Sequence, residues 1–200
     1  MALTPSTMLA LGTKAPDFQL PDVVSGQTIS LATFSGKQAL VVMFICRHCP
    51  FVKHVQAQLA KIGQDYEDKD VGIVAISSNY VKSHPEDAPE LLKQMAIALG
   101  FNFPYCYDAT QEVAKAFQAA CTPDFFVFDS AKRIPDGNRQ LELVYRGQLD
   151  DSRPSNDKPV TGKDLRAAID AVLAGQPVNR VQTPSIGCNI KWKPGNEPSY

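Results

Sequence analysis

Residues 38–45 (Gln-Ala-Leu-Val-Val-Met-Phe-Ile) form a nearly continuous apolar run rich in β-branched side chains, the pattern of a strand buried on both faces of a sheet. From Pro50 the hydrophobic period lengthens. Phe51, Val55, Leu59 and Ile62 recur on one helical face, while Lys53, Gln56, Gln58 and Lys61 point elsewhere. Pro50 suits the first helical turn, where its missing N–H costs nothing. Residues 71–77 (Val-Gly-Ile-Val-Ala-Ile-Ser) are a second buried run. Strand, helix and strand in this order predict a βαβ unit with parallel strands and a right-handed crossover. That unit restricts the chain to a layered α/β architecture.

The alternation continues. Leu91, Leu92, Met95 and Leu99 form an apolar helical stripe that Gly100 ends. A third helix is expected from Thr110, with Asp108 as N-cap, Gln111 three residues on, and Val113, Ala116, Phe117 and Ala120 facing inward. Residues 125–129 and 141–146 read as an antiparallel hairpin around the turn-forming Pro135-Asp136-Gly137-Asn138. A last helix is expected with Thr161 as cap, Asp164 at its third position and Leu165, Ile169 and Val172 buried; Gly175 ends it. The reading is one domain over residues 11–175 and a Pro-rich extension over 176–200, laid on the domain or partly free.

Composition removes several functions. Lys+Arg 20 against Asp+Glu 21 leaves a net charge of -1, with no positive field to gather nucleic acid or an anionic membrane. No apolar run approaches the ~20 residues that span a bilayer, and the first residues lack the pattern of a secretory signal, so a cytoplasmic location is expected. At 200 residues the chain can bury about 70% of its unfolded surface and needs no staple. Five cysteines, an odd number at uneven spacing, do not form a secreted disulfide framework. They are available for chemistry.

Cys46-Arg47-His48-Cys49-Pro50 joins a strand end, a Cys-x-x-Cys spacing and a helix N-terminus. Residues three apart on a first helical turn lie about 5–6 Å apart at Cβ, near enough for a disulfide to open and close without unfolding. Cys46 is expected to face the positive helix pole as a low-pKa attacking thiolate, with Cys49 as the resolving sulfur. Arg47 and His48 add positive charge, which would tune the thiolate and make the disulfide more oxidising. Metal binding and inert packing remain the alternatives; a zinc site would need further ligands from tertiary contact. His54 and His84 read as surface residues, and Cys106 and Cys121 as packing.

The chain resembles the thioredoxin-fold redoxin superfamily of alkyl hydroperoxide reductase and thiol-specific antioxidant proteins, over roughly residues 11–175. Gly12-Thr13-Lys14-Ala15-Pro16-Asp17-Phe18 resembles the G-x-x-A-P-D-F opening of redoxins, and residues 44–52 resemble the F-x-C-x-H-C-P-F-V segment of a peroxiredoxin-like group. Residues 184–193 resemble the tail of that group. The resemblance implies a thioredoxin-like α/β fold, a mixed central sheet with helices on both faces. It also implies that Thr122-Pro123 is a cis-proline loop beside the active cysteine, with Thr122 contacting an extended substrate. One departure stands out: where typical peroxiredoxins carry a Pro and a hydroxyl residue in Pro-x-x-x-Thr/Ser-x-x-Cys, this chain has Ala39 and Met43.

These readings converge on a thiol–disulfide oxidoreductase that exchanges disulfides with protein or small-molecule thiols through Cys46 and Cys49. No cofactor, nucleic acid or membrane partner is implied. A thiol peroxidase of antioxidant type using Cys46 is the second reading, and a non-catalytic metal- or client-binding module the third. Cys188, followed by the apolar anchors Ile190 and Trp192, is either a bystander or an auxiliary thiol brought near Cys46 by a bend at Gly187.

Overall fold

A computed structural model describes residues 3–133 and 139–200. In chain order the elements are β1 (Leu3–Pro5), β2 (Gln19–Pro21), β3 (Thr28–Ser30), β4 (Ala39–Phe44), α1 (Pro50–Asp65), β5 (Val71–Ser77), α2 (Pro89–Leu99), β6 (Tyr105–Tyr107) and α3 (Glu112–Ala116). They continue with β7 (Cys121–Thr122), β8 (Asp124–Arg133), β9 (Arg139–Gly147), α4 (Lys163–Leu173) and β10 (Ile186–Asn189). Short 3-10 turns occupy Leu31–Phe34 and Pro85–Asp87.

The central sheet has the order β6-β5-β4-β8-β9. Strands β4, β5 and β6 run parallel, as the βαβ reading requires, while β8 and β9 are antiparallel to their neighbours. Every residue of β4 is buried because the strand is covered on both faces. Val41 and Met43 pack on one side with α1, α2 and α4 through Val52, Leu59, Leu92 and Ile169. Leu40, Val42 and Phe44 face the other side, toward α3 and Phe18, Phe117 and Phe126. The result is an α/β sandwich of thioredoxin type.

Boundaries shift where side chains compete with the helix for backbone donors. The third helix begins at Glu112, not Thr110: Asp108 accepts the N–H groups of Gln111 and Ala114, and Gln111 adopts a left-handed φ of 69°. The last helix is capped at Gly162, not Thr161, because Asp150 reaches across to accept the N–H groups of both residues at 2.7 and 2.6 Å. The hairpin strands are longer than expected, and the Pro135–Asn138 turn lies outside the described residues. No helix among the described residues is long and apolar enough to cross a membrane.

Segment 176–200 runs back across the domain. There β10 pairs antiparallel with both β1 and β7, forming a separate three-stranded sheet, and Cys188 and Ile190 are buried. This places the tail against the loop that carries Pro123.

Candidate active site

The carboxyl ends of β4 and β5 create the site, as they do in other open α/β sheets. Strand β4 ends at Phe44 and α1 starts at Pro50, so residues 45–49 form the connecting loop. Cys49 is the N-cap itself, with extended backbone angles, and Cys46 lies three residues before it. The pair therefore spans the entry to the helix and does not sit on its first turn. All five cysteines are buried.

One residue meets both sulfurs of the motif. Thr122 places Oγ1 3.3 Å from Cys46 Sγ, and its carbonyl oxygen accepts from Cys49 Sγ at 3.2 Å. The Thr122–Pro123 bond is cis, the isomer the resemblance implied. The backbone edge of Thr122 is not open to an extended substrate, however. It pairs with Cys188 of β10, and the ladder continues with Ile190 N–H to the Ala120 carbonyl at 3.0 Å.

Asp87 organises the other side, and nothing local in the sequence marks it. It is fully buried, and one oxygen accepts the backbone N–H groups of Arg47 at 2.8 Å and His48 at 3.1 Å. Its second oxygen lies 2.5 Å from His48 Nδ1 and accepts from Asn79 Nδ2 at 2.8 Å. Asn79 in turn accepts the backbone N–H of Lys191 in the tail at 2.8 Å. His84, expected at the surface, packs its ring 4.7 Å from that of His48. The only advance signal is the Pro-bounded Pro85-Glu86-Asp87-Ala88-Pro89 segment following β5 at the site-bearing end of the sheet.

The two thiols are shifted in the sense opposite to the expectation. Burial, contact with Cys49 and the Asp87 carboxylate push the Cys46 thiol well above its ordinary value. Cys49 is drawn down to about 5, first by its hydrogen bond with Cys46, against the cost of burial, and then by Cys188 and backbone donors. The helix entry adds a smaller share, through the backbone donor of Val52 beside the N-cap sulfur. Arg47 reaches the network through its backbone N–H to Asp87. His48 Nδ1 is 3.7 Å from Cys46 Sγ but nearer to Asp87, so the carboxylate stands between the imidazole and a simple thiolate-tuning role.

Cys188 does approach the site, but its contact is Cys49 and not Cys46: the two sulfurs are 2.8 Å apart. Cys106 and Cys121 are raised by burial, to about 12 and well above the ordinary value respectively, as packed inert thiols. Ala39 and Met43 are buried hydrocarbon in β4. Cys46 Sγ, His48 Nδ1 and an Asp87 oxygen lie within 4.8 Å of one another. Both Asp87 oxygens already accept two N–H bonds each, so the trio is a hydrogen-bonded cluster and a poor ligand set.

Residues 11–136 match the AhpC/TSA family. The chain belongs to that family. A Mycobacterium tuberculosis protein named "Putative peroxiredoxin" is 32% identical over 117 residues, 58% of this chain and 69% of that protein. An uncharacterized conserved protein from Geobacillus kaustophilus has a crystal structure with a TM-score of 0.90 and 54% identity, covering 97% of this chain and 98% of its own. A hypothetical protein from Sinorhizobium meliloti gives 0.87 and 49%, covering 95% and 98%. A solution structure described as a "Putative Thioredoxin" from Neisseria meningitidis gives 0.57 at 25% identity, covering 84% and 95%. The family and its thioredoxin-like neighbours indicate thiol redox chemistry.

Proposed function

We propose that this AhpC/TSA protein is a thiol–disulfide oxidoreductase whose Cys46 and Cys49 alternate between dithiol and disulfide. The observation that carries this reading is the meeting of both sulfurs at Thr122, one at its hydroxyl and one at its carbonyl. Cys49 first gives up the proton it donates to the Thr122 carbonyl; the thiolate then attacks one sulfur of a substrate disulfide and forms a mixed disulfide, and the departing substrate thiolate takes the electron pair. Cys46 then attacks the Cys49 sulfur, releasing the second substrate thiol, which receives the Cys46 proton. The protein ends as the Cys46–Cys49 disulfide and the substrate as two thiols. Substrates are protein or small-molecule thiols and disulfides.

Equilibrating the reduced protein in glutathione redox buffers and mapping its disulfides tests the proposal. The Cys46–Cys49 bond should appear as the buffer becomes oxidising, and Cys49→Ser should abolish disulfide exchange. Absence of that bond at every buffer ratio overturns the reading.

A peroxidase reading draws on the family and on the peroxiredoxin name of the mycobacterial relative. It ranks second because the positions that would carry Pro and Thr/Ser hold no hydroxyl whether counted from Cys46 (Ala39, Met43) or from Cys49 (Val42, Cys46). Oxidation of Cys46 or Cys49 by hydrogen peroxide should be no faster than that of a free thiolate; a much faster reaction reverses the ranking.

A further inference from the structure

Cys49 has a second thiol beside it from outside its own loop. Cys46 precedes it in the same loop, and Cys188 arrives from the opposite end of the described chain on β10. The 2.8 Å separation of Cys49 and Cys188 is about 0.8 Å beyond a disulfide bond of ~2.0 Å, so bonding needs only a small side-chain movement. The position of Cys188 is fixed by backbone. It pairs with Thr122 on one side and Leu3 on the other, inside the three-stranded sheet. Gly187 allows the approach: a Cβ there would sit 2.0 Å from the Thr122 carbonyl oxygen. Lys191 and Asn79 then tie the same strand to Asp87 and hence to the Cys46 loop.

We infer that Cys188 is a second resolving thiol for Cys49, competing with Cys46, so that the protein has two alternative oxidised forms. This rests on the thiol-exchange reading above. Once Cys49 carries the mixed disulfide, the Cys188 sulfur attacks the Cys49 sulfur, and the Cys49–substrate bond breaks. The electron pair leaves with the substrate thiolate, which takes up the Cys188 proton. The products are a Cys49–Cys188 disulfide, a released thiol and Cys46 still reduced. In the resting state burial holds Cys188 up to about 12, with contact to the charged Cys49 adding to it and Lys191 opposing it. Formation of the mixed disulfide consumes the charge on Cys49 and removes that smaller contribution, while burial, the larger one, persists. The product joins the tail strand covalently to the start of α1. Reduction of that bond restores the dithiol form.

The test uses an aromatic disulfide, 5,5′-dithiobis(2-nitrobenzoic acid), whose released thiolate is coloured and whose adduct is seen by mass. Cys46→Ser should form the adduct on Cys49 and then lose it, releasing a second equivalent of chromophore as Cys49–Cys188 closes. The double variant Cys46→Ser/Cys188→Ser should stop at the adduct, its second release slower by about tenfold or more. Trypsin separates the three cysteines, because Arg47 lies between Cys46 and Cys49 and Cys188 falls within residues 181–191, so the bond formed is identified directly. A stable adduct on Cys49 in both variants, with Cys46–Cys49 forming in the wild type, overturns the role of Cys188 and leaves the exchange reading intact. No adduct in either variant and no Cys46–Cys49 bond in the wild type overturns both. Should Cys46→Ser fail to fold, mapping the wild type decides: a Cys49–Cys188 bond supports the inference, and Cys46–Cys49 alone refutes it.

Discussion

Replacing Gly187 by alanine should separate the tail strand from the cis-proline loop, and the size of the effect follows from the geometry. The added Cβ would meet the Thr122 carbonyl oxygen at 2.0 Å, its carbonyl carbon at 2.6 Å and Pro123 N at 3.2 Å. All three are backbone atoms that cannot rotate away. Reaching an ordinary contact of 3.4 Å requires β10 to retreat by more than an ångström, which carries Cys188 from 2.8 Å to about 4 Å from Cys49. Overpacking of this kind costs about 1–3 kcal/mol, which for a chain of this size lowers Tm by roughly 2–4 °C per kcal/mol. Gly36, where an added Cβ meets nothing within 4 Å, supplies a control expected to stay within about 0.5 kcal/mol of wild type. Urea unfolding of the reduced proteins gives the stability. The pH dependence of Cys49 alkylation gives the chemistry, and its midpoint should rise as the Cys188 donor is withdrawn. Gly187→Ala with unchanged stability and an unchanged Cys49 midpoint refutes the close packing at Thr122.

Three further outcomes are expected. Asp87→Asn removes the carboxylate that helps hold Cys46 protonated, so the Cys46 alkylation midpoint should fall; lost charge-assisted bonds should cost about 2–4 kcal/mol in urea unfolding. Cys49, held at about 5 in the folded protein against an ordinary 9.0, contributes stability that is full above about pH 9 and is lost as pH falls toward 5. Cys49→Ser should flatten that part of the stability profile of the reduced protein. Asp124 behaves in the opposite sense: burial raises its carboxyl from 3.8 to about 7, so its contribution is full below about pH 4 and lost as pH rises through 7. Across that window the difference amounts to roughly 4 kcal/mol, and Asp124→Asn, measured by urea unfolding at pH 5 and pH 8, should show a smaller fall than wild type.

Periodicity was enough to find the elements that build the site. The apolar runs of β4 and β5 and the helical face of α1 carry their structure locally, because each is buried by its own pattern of side chains. Charge placement was less legible. The pattern reads the helix start at Pro50 correctly but places the two sulfurs on its first turn, whereas Cys49 is the N-cap and Cys46 lies before it. Asp87 had only the Pro-bounded segment around it as a signal, because its partners Arg47 and His48 lie 40 and 39 residues earlier and meet it only after β5 is in place. Cys188 could be suspected from its tail but not assigned to Cys49, since that pairing depends on the register of β10 against β7.

The three-stranded sheet also sets an order of events during synthesis. Cys49 leaves the ribosome 139 residues ahead of Cys188, an interval of about 7–28 s at ~5–20 residues per second. Throughout that interval β10 cannot cover Thr122, and the Cys46 loop lacks its link through Asn79 to Lys191. The motif therefore passes through a period in which it is made but not enclosed. Oxidants or partner thiols present then meet a pair of cysteines not yet packed against the tail strand, and the arrival of residues 186–191 completes that packing.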